Sequence, residues 1–201
     1  MRTSVHNEFN VALINARSVI PKLLSLEETL RELNSDFAII TKTWLQDTPR
    51  INQCIIDFTD RTGLEFIRKD RSGGRRGGGV AVCFNKNLIT FSKAKIPPSK
   101  HELVAAVGRM TGQRRKVVVL GAYLPPHYNA EQNVSFMNAT NKALTALKSK
   151  YANPYIFFGG DLNRRNFRDA SREAPDIKLI PTGPTRGNAT LDSISLSLIH
   201  I

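Results

Sequence analysis

The apolar positions of this chain fall into short, dense runs separated by polar stretches, and their period changes from run to run. Phe9-Asn10-Val11-Ala12-Leu13-Ile14-Asn15 reads as a first strand whose apolar run suggests burial on both faces. Residues 18–34 follow as a helix. Leu23, Leu26, Leu30 and Leu33 recur there at three- and four-residue steps, and Ser18 before Pro21 marks the entry. Residues 37–41 form a second strand, so the chain opens strand–helix–strand, the pattern of a parallel pair joined by a crossover. Residues 77–84, Gly77-Gly78-Gly79-Val80-Ala81-Val82-Cys83-Phe84, read as a glycine-led strand, and further strands are expected over 88–91, 103–107 and 117–123. Asn85-Lys86-Asn87 and Thr111-Gly112-Gln113 lie between some of these strands as turns, giving a hairpin-rich segment. Residues 131–150 read as a second amphipathic helix with Val134, Met137, Leu144 and Leu147 on one face, ended by Pro154. Tyr155-Ile156-Phe157-Phe158 is a buried strand running into Gly159-Gly160-Asp161. A polar, Arg-rich loop follows, and residues 190–198 alternate as a strand should. There is no internal repeat, long linker or low-complexity tail. The whole implies one α/β domain over residues 1–201, with two sheets packed face to face and helices outside.

Composition narrows the class. At 201 residues the chain is long enough for a well-buried core, and its apolar share of 41% fits a soluble globular protein. No apolar run approaches the ~20 residues of a membrane-spanning helix, and the first residues lack the apolar core of a signal peptide. Cys54 and Cys83 have no metal spacing and read as small core residues of a reducing compartment, which argues against zinc. Charge changes the picture more. Lys and Arg total 29 against 17 Asp and Glu, and residues 61–120 hold 14 of the basic residues with only Glu65, Asp70 and Glu102 as acids. A basic field concentrated in this way suits a polyanion, most simply nucleic acid. Arg68, Lys69, Arg71, Arg75 and Arg76 are its candidate phosphate contacts. The alternative is a solubilising surface. The glycine-rich stretch lacks the Gly-Lys-Ser/Thr ending of a nucleotide-binding loop and reads as a flexible hairpin loop.

Three expected strands end in polar residues: at Asn15, at Thr41-Lys42-Thr43-Trp44, and at Asp161-Leu162-Asn163. A strand tip carries a polar group to the rim of a sheet while its apolar body holds it rigidly. Asp161 and Asn163 sit two apart, so an extended backbone keeps both on one side. A carboxylate and an amide so placed can orient an attacking water and hold a phosphate oxygen, although an Asx-type turn after a strand produces the same spacing.

Together the blocks Ile14-Asn15-Ala16-Arg17-Ser18, Phe37–Leu45, Arg76-Gly77-Gly78-Gly79-Val80-Ala81, Ala122-Tyr123-Leu124-Pro125-Pro126, Gly160-Asp161-Leu162-Asn163 and Pro184-Thr185-Arg186 with Leu191-Asp192 resemble the endonuclease/exonuclease/phosphatase family. They are most similar to the endonuclease domain of non-LTR (LINE-type) retrotransposons, with blocks in the same order across nearly the whole chain. The resemblance implies a DNase I-like, four-layer α/β/β/α fold and phosphodiester cleavage with a divalent metal, usually Mg²⁺. It implies that Asn15 arranges metal and phosphate, Tyr123 contacts the scissile phosphate, Asp161 activates water and Asn163 steadies the transition-state oxygens. Thr185 would touch phosphate, and Asp192 would support a catalytic histidine.

Two departures bear on activity. The family pattern reads Thr-Glu-Thr-Trp-Leu where this chain has Thr41-Lys42-Thr43-Trp44-Leu45, so Lys42 occupies the position of the metal-binding glutamate. Magnesium wants hard oxygen ligands, and a lysine replaces a negative charge with a positive one. An ammonium could instead neutralise phosphate as a point charge, without a metal's power to polarise oxygen. The family also ends on a Ser-Asp-His strand, whereas this sequence stops nine residues past Asp192, so the resemblance implies a C-terminally truncated sheet lacking its last strands. His200 comes too early to serve, and His6, His101 and His127 read as surface or loop residues. The sequence therefore points to a retroelement endonuclease domain that nicks DNA for target-primed reverse transcription, degenerate in its metal site. Its implied setting is intracellular and nuclear, with DNA as partner, a reverse transcriptase encoded downstream and no membrane. The alternatives are a non-catalytic nucleic-acid-binding remnant and a phosphatase or phosphodiesterase of the same superfamily.

Overall fold

A computed structural model describes residues 9–73, 77–110 and 114–163, together with the backbone of 177–180 and 192–197. The opening unit is β1 (Val11–Asn15), a 3-10 turn (Ile20–Lys22), α1 (Leu23–Glu32) and β2 (Phe37–Thr41), with β1 and β2 parallel. The helix entry differs from expectation. Ser18 has φ 92° and makes no cap; Pro21 lies in the 3-10 turn instead, and α1 begins a turn later. Among the described residues β1 is an edge strand, and it is only partly buried because one of its sides has no neighbouring strand there.

Next come α2 (Pro49–Thr62) and β3 (Leu64–Lys69), two elements for which the sequence pattern carried no expectation. Their local signals are plain in hindsight. Thr48 accepts from the Ile51 N–H, Pro49 sits at the first helical position, and Gly63 closes the helix at φ 76°. The chain continues with β4 (Val80–Asn85), β5 (Ile89–Lys93), β6 (Glu102–Met110), β7 (Val117–Tyr123), α3 (Ala130–Lys150), β8 (Tyr155–Asp161), β9 (Ile177–Ile180) and β10 (Asp192–Ser197). β9 lies within the segment expected to be a loop. Asn85-Lys86-Asn87 does not make a hairpin within one sheet. It carries the chain from the first sheet to the second, since β4 pairs with β2 and β3 while β5 pairs with β6. The turn expected at residues 111–113 lies outside the described residues.

The four-stranded sheet runs β1-β2-β4-β3 and the six-stranded sheet β5-β6-β7-β8-β10-β9. Alternation within each strand explains how they stack. Phe37 and Ile39 of β2, with Val80, Val82 and Phe84 of β4, meet Val104, Val117, Val119 and Phe157 in a core between the sheets. Phe37 packs edge-on against Phe157 at 5.1 Å and against Phe91 at 5.6 Å. Ala38 and Ile40 face the other way, into a second core with Leu26 and Leu30 of α1 and Ile55 and Phe58 of α2. A third core joins Val118, Leu120, Ile156 and Phe158 to Phe136, Leu144 and Leu147 of α3. Phe136 takes the inward place, and Val134, expected on the buried face, is exposed. Leu33 is likewise exposed at the end of α1, past the last turn that packs on the sheet. The layers are thus α1 and α2, four-stranded sheet, six-stranded sheet, α3: a DNase I-like α/β/β/α stack. Cys83 is buried and Cys54 half-buried, both free. Among the described residues no helix is long and apolar enough to cross a membrane.

Candidate functional site

The strand registers bring the polar tips to one rim. Asn15 lies opposite Thr41 in the first sheet, and Glu102, Tyr123, Asp161 and Asp192 line up across β6, β7, β8 and β10 in the second. The backbone there is held tightly. The Ala16, Ser18 and Val19 N–H groups donate to the carbonyls of Thr41, Lys42 and Thr43, and the Trp44 N–H donates to Gly78. Arg17, Ser18, Lys42, Trp44 and Asn163 all have positive φ, a left-handed conformation that costs free energy in non-glycine residues and tends to collect at functional sites. Two glycines permit the packing. A Cβ on Gly160 would fall 1.8 Å from the Ala122 carbonyl oxygen, and one on Gly79 would fall 2.3 Å from Thr43 Oγ1.

Asp161 is the centre of this arrangement, with its side chain only 1% exposed. Its Oδ2 receives the Lys42 ammonium at 2.7 Å and the Asn15 amide at 3.2 Å, and its Oδ1 accepts from the Asn163 N–H at 2.9 Å. That last bond is an Asx-type turn, so the turn and the rim cluster are one object rather than alternatives. Asn163 Nδ2 donates to the Leu124 carbonyl at 2.6 Å, which fixes the amide beside the carboxylate. Tyr123 lies below two cations, with Lys42 Nζ 5.6 Å and the Arg71 guanidinium 5.7 Å from its ring centre. Burial, and then the Asp161 charge, push the Tyr123 phenol up to about 12, so it stays a protonated donor near neutral pH.

Sequence reasoning missed Glu102. This buried carboxylate accepts from Arg71 Nε at 2.7 Å and from the Gly79 N–H, tying the basic segment and the glycine-rich tract to the rim. Burial draws the Arg71 pKa down, but the Glu102 hydrogen bond and charge outweigh it and leave the group more firmly protonated than usual. The signal was available: Glu102 is the one acid between Asp70 and Glu131 and stands at the head of an apolar run. Of the expected phosphate contacts, Arg71 is engaged by Glu102. Arg68 is engaged by Asp70 at 3.1 Å and Asn52 at 2.6 Å, and Lys69 is half-buried. Arg75, Arg76 and Thr185 lie outside the described residues, as do His6 and His200, and only the backbone of Asp192 is described. His101, expected at the surface, is buried. Its Nε2 lies 2.9 Å from Ser135 Oγ and its Nδ1 3.4 Å from the Tyr128 hydroxyl, against Phe136.

A family model described as "Endonuclease/Exonuclease/phosphatase family" matches residues 8–194. The chain belongs to the endonuclease/exonuclease/phosphatase family. Solved structures agree on the fold. A mannosyl-6-phosphatase of Bacteroides thetaiotaomicron superposes with TM-score 0.73 at 11% identity, covering 94% of this chain and 85% of that one. The human Nocturnin catalytic domain with bound sulfate gives 0.66 at 12%, over 89% and 74%. D. rerio TDP2 complexed with single-strand DNA product gives 0.61 at 14%, over 96% and 85%. No curated protein matches the sequence.

Members of the family generally use a divalent metal, and the residues at this rim do not fit one. Asn15 Oδ1 is buried without a hydrogen-bond partner, as a ligand oxygen would be. Yet the neighbouring Asp161 oxygen is already held by an ammonium, and among the described residues no three His, Cys, Asp or Glu side chains converge. A dication at Asp161 would face Lys42 across a few ångströms. At ~4 Å and an effective dielectric of ~20, a unit-charge repulsion is worth about 4 kcal/mol, and a dication roughly doubles it.

Proposed function

We propose that this chain is a retroelement-type (LINE-type) endonuclease domain of the family that holds DNA at its rim without metal-dependent cleavage. The observation that carries this reading is the Lys42–Asp161 ion pair of 2.7 Å, in which an ammonium neutralises the carboxylate that would otherwise serve a metal and a water. The retroelement assignment is supported by Thr43-Trp44-Leu45 after the second strand and Tyr123-Leu124-Pro125-Pro126 at the end of β7, both in the order of that branch. DNA as the partner is supported by the net charge of +12 and by the cations above Tyr123. With Mg²⁺ opposed by charge, Lys42 and Arg71, each paired with a carboxylate, offer a phosphate their remaining donor hydrogens, and Tyr123 and Asn163 stand beside them. Nothing in that set replaces a metal's polarisation of the attacked phosphorus. The test is nicking of supercoiled plasmid by purified chain in Mg²⁺. No nicking above the level of Asp161→Ala is expected, and nicking that Asp161→Ala abolishes overturns the reading.

A further inference from the structure

Residues 103–160 contain seven Lys and Arg and a single acid, Glu131. The fold separates them. Glu131 opens α3, while Lys148 and Lys150 stand in its last turn, about 25 Å away at 1.5 Å per residue. Arg109, Arg114, Arg115 and Lys116 lie where β6 ends and β7 begins, the end of the six-stranded sheet opposite the Asp161 rim. Six cations are therefore gathered at one pole. Among the described residues, the acids of that pole, such as Glu65 on β3, belong to the other sheet.

Several of these cations are held in place. Arg115 bonds the Asn153 carbonyl and side chain, each at 2.8 Å, and lies 4.0 Å over the Tyr155 ring. Lys116 lies 4.8 Å over Tyr151. At this end of the six-stranded sheet a groove of about 480 Å³ runs over β5 and β6. Val107 and Met110 form an apolar part of its lining, Thr90 and Ser92 supply hydroxyls, and Arg109 and Lys116 supply charge. Thr90 is in register with Arg109, and Gly108 with Val117, so Arg109 stands beside Thr90, and Lys116, the residue before β7, lies next to that row.

We propose that this groove binds single-stranded nucleic acid, at a site separate from the Asp161 rim. The charge complements a phosphate backbone. The mixed apolar and hydroxyl lining of a concave groove offers packing and hydrogen bonds to unstacked bases, which a duplex keeps inside its stack. β7 spans seven residues between the two ends, about 20 Å, so the rim and the groove can be occupied by different segments at once.

The test is fluorescence anisotropy with labelled oligothymidylate and oligouridylate, with unlabelled duplex as competitor. Both single strands are expected to bind, and whichever binds more tightly assigns DNA or RNA. Arg109→Ala with Lys116→Ala should weaken binding at least ~10-fold and reduce the log–log salt slope by about 1.4, two phosphate contacts at about 0.7 each. Ser92→Lys, which adds a cation on the same exposed face, should strengthen it. Undiminished binding by the double variant overturns the proposal, as does a duplex that competes as well as the unlabelled single strand.

Discussion

Lys42 Nζ lies 2.7 Å from Asp161 Oδ2, with the carboxylate 1% exposed and the lysine side chain 21% exposed. Asp161 ends β8 and Lys42 directly follows β2, strands of different sheets, so this ion pair ties the sandwich together at the rim. A carboxylate buried this deeply needs a counter-charge and hydrogen bonds, and it receives them from Lys42, Asn15 and the Asn163 N–H.

Removing one partner should therefore destabilise the fold. Lys42→Met leaves Asp161 with one positive neighbour fewer and is expected to cost about 3 kcal/mol by urea denaturation. Lys42→Met combined with Asp161→Leu should cost clearly less than the sum of the two single changes, because no charge is then stranded. Additive costs would show that the pair is not coupled.

Glu102 supports the same rim from the other side. Glu102→Gln keeps its shape but loses the charge that faces Arg71 and the Gly79 N–H. A loss of about 3 kcal/mol is expected, in the range for breaking a buried pair. Arg71 should also become accessible to guanidine-specific reagents, and wild-type stability in this variant would remove Glu102 from the account.

Burial lowers the His101 pKa below the ordinary 6.5, with the Lys100 charge adding to it. The folded state prefers the neutral ring, so this contribution is complete above pH 6.5 and is lost as pH falls through the folded pKa. Stability should therefore decline from about pH 6.5 downward by more in the wild type than in His101→Gln. Identical pH profiles would contradict this.

Tyr123 behaves with the opposite sign. Its phenol is pushed up to about 12 by burial and by Asp161, so the folded state prefers the protonated form. Its contribution is complete below the unfolded value of 10 and lost as pH rises towards 12. Tyr123→Phe should flatten the alkaline limb of the stability curve, and an unchanged limb would count against the assignment.

Much of the fold was legible because strands buried on both faces leave unbroken apolar runs. β2, β7 and β8 announce themselves in this way, as does the parallel β1–α1–β2 opening. α2 and β3 were harder to see. α2 carries Asp57, Asp60 and Arg61 among its apolar positions, and β3 shares its segment with the basic cluster that drew attention to charge instead. The exchange of sheets at Asn85-Lys86-Asn87 was not readable at all, since a short polar turn looks the same whether the next strand pairs with the last or leaves its sheet. Within the site, Asn15, Lys42, Asp161 and Asn163 were legible at strand tips and Tyr123 through the family resemblance, and the structure brings them together. Their partner Glu102 was not found, because it begins a strand rather than ending one. His101 was placed at the surface for want of any local cue to Ser135 and Tyr128, which meet it from more than twenty-five residues away.

The most direct test of the central claim is a calorimetric titration of Mg²⁺, and then Mn²⁺, into the wild type and into Lys42→Glu. The variant replaces the ammonium with a second carboxylate beside Asp161 and Asn15 Oδ1, the hard-oxygen set that a divalent cation requires. The account predicts no saturable binding by the wild type, and saturable binding by Lys42→Glu with a metal-dependent rise in Tm. Saturable binding of either metal by the wild type, abolished by Asp161→Ala, would contradict it.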